Sequence, residues 1–137
     1  MAMKIITKHL PVKTREREEM IDITSLVEAV VENSEVEHGT CIVFSTHTTC
    51  GVTINENADP DVKADIIESL GRVFPRDGKY RHVEGNSDAH VKTSMVGPSI
   101  ALIIENGRLM LGTWQGIMVC EFDGPRSRSI VIHVQGE

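Results

Sequence analysis

The sequence predicts an α+β fold: a mainly antiparallel β-sheet or sandwich with two helices. Three observations carry that expectation. Around residues 26–33 and 60–74, apolar side chains recur at helical intervals. The second half is strand-rich, with short apolar runs separated by turn residues. Asn106-Gly107, between two such runs, is the strongest short hairpin signal in the chain. Helices early and strands late favour segregated elements over a βαβ alternation. A chain of 137 residues is expected to form one domain, residues 1–137.

Residues 4–10 read as an opening strand, the charged residues 14–19 as a solvated turn or strand edge, and residues 20–23 as a short apolar piece. Ser25 and Glu28 have the spacing of a capping box. Leu26, Val27, Val30 and Val31 then follow at helical spacing, which predicts a first helix to about Asn33. Gly39 opens a strong strand over residues 40–49, with Ile42, Val43 and Phe44 at its centre. Gly51 breaks it, and Val52-Thr53-Ile54 alternates again. Asp59-Pro60 has the form of a helix start, an N-cap acid followed by proline at the first helical position. Val62, Ile66, Ile67, Leu70, Val73 and Phe74 continue at helical intervals until Pro75. Residues 76–86 carry no periodicity, and residues 89–96 fit a helical turn or a loop equally. Strands are expected over 99–105, 108–111, 117–122 and 129–135, with a turn at Asp123-Gly124-Pro125.

Composition narrows the functional classes. The net charge of −6 argues against nucleic acid, which needs a basic face to neutralise phosphates. A small anion remains acceptable, because two or three local cations suffice. No apolar run approaches the ~18 residues of a membrane span, and the start is too short in apolar residues for a signal peptide. The 3 cysteines, Cys41, Cys50 and Cys120, are odd in number and lack CxxC spacing, so they read as reduced, mostly buried thiols. A cytoplasmic location is expected.

The densest polar segment is Arg81-His82-Val83-Glu84-Gly85-Asn86-Ser87-Asp88-Ala89-His90. It is either a hydrophilic loop with incidental histidines or part of a site. A second polar run, Ser45-Thr46-His47-Thr48-Thr49, follows an apolar strand. If it stays extended, Ser45, His47 and Thr49 share one face while Thr46, Thr48 and Cys50 share the other. Three histidines in such settings suggest a metal site, since imidazole with carboxylate is the usual ligand set of zinc and its neighbours. Glu84, Asp88 or Glu56 would serve as outer partner or proton acceptor. Gly112-Thr113-Trp114-Gln115-Gly116 holds the sole tryptophan, which either plugs the core or floors a pocket. Asn55-Glu56-Asn57 reads first as helix-entry capping. Arg126-Ser127-Arg128 is a solvated hairpin tip or a place to hold phosphate. His9, His38 and His133 read as incidental or structural.

Together these runs resemble the YjbQ-like family of small bacterial and archaeal proteins. The match comprises Ser45-Thr46-His47-Thr48-Thr49, Asn55-Glu56-Asn57-Ala58-Asp59-Pro60, Arg81-His82, Glu84-Gly85-Asn86, Ala89-His90, Leu111-Gly112-Thr113-Trp114-Gln115-Gly116 and the closing Val134-Gln135-Gly136-Glu137. The resemblance implies an α+β fold and a homotrimer with a polar pocket near the subunit contacts. It implies that His47, His82 and His90 gather there around a divalent metal ion, zinc or magnesium. It also implies a secondary thiamine-phosphate synthase, a transferase joining an aminopyrimidine diphosphate to a thiazole phosphate with release of diphosphate.

On that basis Glu84 is the expected acid/base. Asn55 and Gln115 orient a phosphorylated small-molecule substrate, with Glu56 beside them. Arg126 holds phosphate with the Thr48 and Thr49 hydroxyls, and Trp114 stacks on a heterocycle. Two other readings fit the same residues: a metal-assisted hydrolase of a small phosphorylated or heterocyclic metabolite, and a non-catalytic binder of a small ligand or metal.

Overall fold

The computed structural model describes residues 2–137. In chain order the elements are β1 (Lys4–Lys13), β2 (Glu19–Asp22), α1 (Thr24–Ser34), β3 (His38–Ser45), β4 (Cys50–Glu56), α2 (Pro60–Val73), α3 (Ser87–Val96), β5 (Ser99–Glu105), β6 (Arg108–Leu109), β7 (Gln115–Glu121) and β8 (Ser127–Gly136). One sheet has five strands in the order β1-β8-β3-β5-β6, the other three in the order β2-β7-β4. Every pairing is antiparallel, as the α+β expectation requires.

Strand alternation explains the layers. On β7, Ile117 and Val119 face a core shared with Val43, Leu102, Ile130 and Ile132 of the five-stranded sheet. Met118 and Cys120 face the other way, onto a second cluster with Met20, Ala89 and Phe122. Ile66, Ile67 and Leu70 of α2 and Val96 of α3 pack on that second cluster. The three-stranded sheet is therefore a middle layer, covered by the larger sheet on one face and by helices on the other. A strand buried on both faces must be apolar throughout, which is why residues 117–120 show no polar alternation.

Helix α2 begins as its sequence demands. Asp59 accepts from the Asp61 amide at 2.9 Å, and Pro60 occupies the first turn. Removing that cap, Asp59→Ala, is expected to cost about 1 kcal/mol, read as a small drop in urea midpoint with unchanged slope. Helix α1 departs from expectation. Its N-cap is Ile23, and Ser25 makes no cap; instead Asp22 Oδ1 accepts from the Thr24 amide and hydroxyl at 2.8 and 2.6 Å. The Ser25/Glu28 capping-box spacing thus falls two residues past the actual N-cap.

Three further differences matter for the site. Residues 87–96 form a third helix, where two helices were expected. Its buried face is Asp88, Ala89, Lys92 and Thr93, so an ion pair stands where an apolar stripe would be and periodicity cannot reveal it. The strand expected over residues 40–49 stops at Ser45 and the chain turns over residues 46–49, while Gly51 lies inside β4. The charged stretch at 14–19 is no solvated turn: Thr14 is buried, and Arg17 and Glu18 pair with α3. Among the described residues no helix is long and apolar enough to cross a membrane.

Candidate functional site

The turn after β3 builds the site. The β3–β8 ladder ends at Ser45↔Ile130, which leaves the Ser129 amide without a strand partner. His47 supplies one: its Nε2 accepts from Ser129 N at 2.9 Å. An amide hydrogen can be donated only to an unprotonated ring nitrogen, so neutral His47 carries its proton on Nδ1. Burial, followed by the Arg128 charge, pushes its pKa below the ordinary histidine value. Ser45 Oγ donates to Cys50 O at 2.7 Å and receives the His47 amide, pinning both ends of the turn.

Behind this turn lies a buried ion pair that links the two sheets. Glu121, at the end of β7, is fully buried and paired to Arg128, near the start of β8. Arg128 Nε donates to Glu121 Oε1 at 2.8 Å, and Nη2 donates to Glu121 Oε2 and to Thr49 Oγ1 at 2.9 Å. Burial alone would raise the Glu121 pKa. Hydrogen bonds from Arg128, the Asp123 amide and Thr14, with the Arg128 charge, outweigh it and hold the carboxyl below its usual range. Arg128 Nη1 has no hydrogen-bond partner among the described residues, and it is not a buried orphan. That nitrogen is the part of the guanidinium left for the cavity.

The cavity has a volume of about 410 Å³. Thr46, His47, Thr48 and Thr49 form one wall, Glu84, Asn86 and His90 a second, and Asp123, Arg126 and Arg128 a third. Arg126 is tied down by Nε to Asp123 O at 2.8 Å and Nη2 to Asp123 Oδ2 at 3.0 Å. Asn86 Nδ2 donates to the same Asp123 Oδ2 at 2.9 Å, joining the second wall to the third. With neutral imidazoles, Arg126 and Arg128 are balanced by Glu84 and Asp123. Anion binding here therefore depends on oriented donors rather than on excess charge.

The structure brings Thr48, Thr49, Glu84, His90, Arg126 and His47 of the expected site to one cavity. His82 stands beside it, edge-on to His90 with ring centroids 5.3 Å apart. Asn55, Glu56, Trp114 and Gln115 are elsewhere. They sit at the opposite end of the β4–β7 ladder, where Asn55 pairs Gly116 and Glu56 pairs Gln115 while Cys50 pairs Glu121 near the cavity. At about 3.4 Å per residue that separation is roughly 17 Å or more along the strand. Trp114 is 62% exposed there, so it neither plugs the core nor floors this cavity. The Gln115 side chain is spent on the Gly112 amide at 2.8 Å, and Asn55 Oδ1 accepts the Glu56 amide.

The three-imidazole metal set is not assembled within the chain. His47 Nε2 is committed to Ser129, and His82 Nε2 lies 3.1 Å from Asn86 Oδ1. Among the described residues no group of three or more His, Cys, Asp and Glu side chains is placed to hold a metal ion. Of the Asp123 carboxylate, an oxygen ligand of the kind magnesium favours, Oδ2 accepts from both Arg126 and Asn86.

Residue-by-residue reading gave Glu121, Asp123 and Asn86 no role. A usable signal existed for the first: a glutamate closing an apolar strand, with an arginine opening the next. A larger groove of about 750 Å³ lies between α1 and the β5–β6 hairpin, lined by Glu28, Glu32, Glu35 and Glu37 with Lys4 and Arg108, and it holds none of the expected site residues.

A protein-family model described as UPF0047 protein YjbQ-like matches residues 8–137. The UPF0047 protein YugU of Bacillus subtilis is 52% identical over 130 residues, covering 94% of this chain and 98% of that protein. A UPF0047 protein of Methanocaldococcus jannaschii is 46% identical, covering 100% and 99%. Among solved structures, a YbjQ-like protein of unknown function from Sulfolobus solfataricus superposes with a TM-score of 0.96 at 31% identity, covering 99% of this chain and 100% of that one. A YjbQ/UPF0047 protein of Clostridium acetobutylicum, 54% identical, gives 0.91 over 93% and 98%. Fold, motif order and full-length match agree: this chain belongs to the UPF0047 YjbQ-like family.

Proposed function

We propose that the cavity binds the phosphate or diphosphate group of a small metabolite, and that the protein is an enzyme acting on it. The observation that supports this reading is the setting of Arg128. A buried guanidinium, braced by Glu121 and Thr49 and with Nη1 unbonded, lines a cavity together with Thr46, Thr48, Thr49, Arg126 and His47. Braced cationic donors of this kind recognise phosphoryl oxygens.

The finer reading follows the family resemblance: thiamine-phosphate synthesis. In that reaction the thiazole nitrogen attacks the methylene carbon of the aminopyrimidine, the carbon–oxygen bond to diphosphate breaks, and diphosphate leaves with the electron pair. Arg126 and Arg128 meet the leaving group as oriented hydrogen-bond donors. In this reading His90, once protonated, hands that proton to the departing diphosphate oxygen, and Glu84 beside it is the acid/base partner that restores it. Asn55, Glu56, Trp114 and Gln115 reach the cavity only from another copy of the chain, so the homotrimer is part of this proposal. No step is assigned to a metal, because the imidazoles do not present a ligand set.

The test is direct. The protein, with its mass in solution measured, is incubated with both substrates, and diphosphate release is followed. Arg126→Ala is expected to weaken diphosphate binding about tenfold, the worth of one charge-assisted hydrogen bond. Glu84→Gln is expected to keep binding and lose turnover. Binding with no turnover in the parent protein would make this a non-catalytic binder. A protein that binds neither phosphate nor diphosphate would sink the whole reading.

A further inference from the structure

We propose that Arg17 is a positioning residue that sets the distance between the second and third walls of the cavity. The proposal rests on the phosphate-binding reading above.

Arg17 lies outside the cavity, yet it is bonded from behind to a near neighbour of each wall, Gly124 of the third and Asp88 of the second. Its carbonyl accepts the Gly124 amide at 2.9 Å, inside the turn that carries Asp123 and Arg126. Its guanidinium grips the Asp88 carboxylate with Nη2 to Oδ1 at 3.1 Å and Nη1 to Oδ2 at 3.3 Å. Asp88 sits in the first turn of α3, two residues before His90 and two after Asn86. A clamp of this kind constrains direction as well as distance, because a two-pronged guanidinium–carboxylate contact fixes the plane of both groups.

The surroundings make the clamp stiff. The Asp88 side chain has no exposure, and its other oxygen contact is Lys92 Nζ at 2.8 Å, itself 1% exposed. Glu18 Oε1 receives both Arg17 Nη1 and Lys92 Nζ at 2.8 Å, so the four charges form a closed set. On the other side a side chain at Gly124 would collide with Glu16 O and with Glu121 and Thr14, so the main chain at 14–17 lies flush against the turn. The front of the cavity has its own tie, Asn86 to Asp123 at 2.9 Å. With Arg17 behind and Asn86 in front, the gap between His90 and Arg126 is held at two points. A binding group loses function when its support loosens by about an ångström, even with every contact residue present.

Inorganic phosphate is the probe. Histidine ring resonances are followed in the full-length protein while phosphate is added. In the parent protein the His47 and His90 signals both move. In Arg17→Met, phosphate affinity is expected to fall about tenfold, and the His90 response to shrink while that of His47 persists. Arg17→Lys keeps the charge but meets one oxygen at a time, and is expected to fall between the two. A merely structural role would lower the melting temperature and leave the saturated His90 response intact. Unchanged affinity and unchanged His90 response in folded Arg17→Met overturn the proposal. If that variant does not fold, Arg17→Lys decides it by the same criterion. A parent protein that ignores phosphate defeats the functional reading instead, so the two failures are distinct.

Discussion

Glu121→Ala is expected to destabilise the protein by about 3–5 kcal/mol, because it strands the Arg128 charge in the interior. Arg128 is 6% exposed, and its Nε and one Nη2 contact both go to Glu121. The loss would appear as a fall in Tm of roughly 10–20 °C for a domain of this size. Glu121→Gln keeps an acceptor and the shape, so it should cost less than Glu121→Ala. Thermal melts of the three proteins at neutral pH check the order. A Glu121→Ala protein as stable as the parent would mean that Arg128 finds water or another acceptor once released.

The same pair predicts an acid response. The folded-state pKa of Glu121 lies below its ordinary value, so its contribution is fully present above the unfolded pKa of about 4.3 and is lost as pH falls through the folded pKa. Asp88 is also depressed. Burial would raise it, but hydrogen bonds from Arg17 and Lys92 and their charges hold it down. Stability should therefore decline in acid below about pH 4, and the decline should be shallower in Glu121→Ala, which has one depressed carboxyl fewer. Urea midpoints across pH 3 to 7 measure it.

The second large effect lies in α3. Asp88→Ala leaves Lys92, 1% exposed, with Glu18 as its sole carboxylate, and is expected to cost about 3 kcal/mol or more. Lys92→Met should cost less, because Asp88 keeps Arg17. Combining Asp88→Ala with Lys92→Met removes both charges and should recover part of the loss, since an apolar replacement for a buried pair is often neutral. A double variant as unstable as the sum of the singles would show that the two residues are not coupled. The ordering also tests why α3 exists. Its sequence has no apolar stripe, so its docking onto β4 and the second cluster depends on Ala89 and Val96 with a neutralised ion pair.

How much of this was legible in the residues varies by element. Helix α2 was, because Asp59, Pro60 and the spacing of Val62, Ile66, Ile67 and Leu70 are all local signals. The strand β7 was, because a strand buried on both faces cannot hide its apolar run, and β5 and β8 were, because their apolar runs are bounded by turn residues. The β5–β6 hairpin was, because Asn106 and Gly107 both adopt positive φ, 53° and 76°, as that turn requires. The bend at residues 46–49 was not. Threonines favour extension, and the tie that bends them, Thr49 to Arg128, spans 79 residues of sequence. The site was half legible. Imidazoles, hydroxyls and Arg126 announce themselves by type, whereas Glu121 and Asp88 act through partners that only folding supplies.

Residue order alone determined the fold class, the family and a list of candidate side chains, because periodicity, turn chemistry and motif order are written in short stretches of chain. Tertiary structure alone decided which of those side chains share a cavity. It turned His47 to cap the Ser129 amide, made a helix of residues 87–96 around a buried ion pair, and left Trp114 at the far end of a strand. The reason is range. Backbone preference and apolar period act over a few residues, but an ion pair or a ladder end is settled by whichever distant segment arrives to meet it.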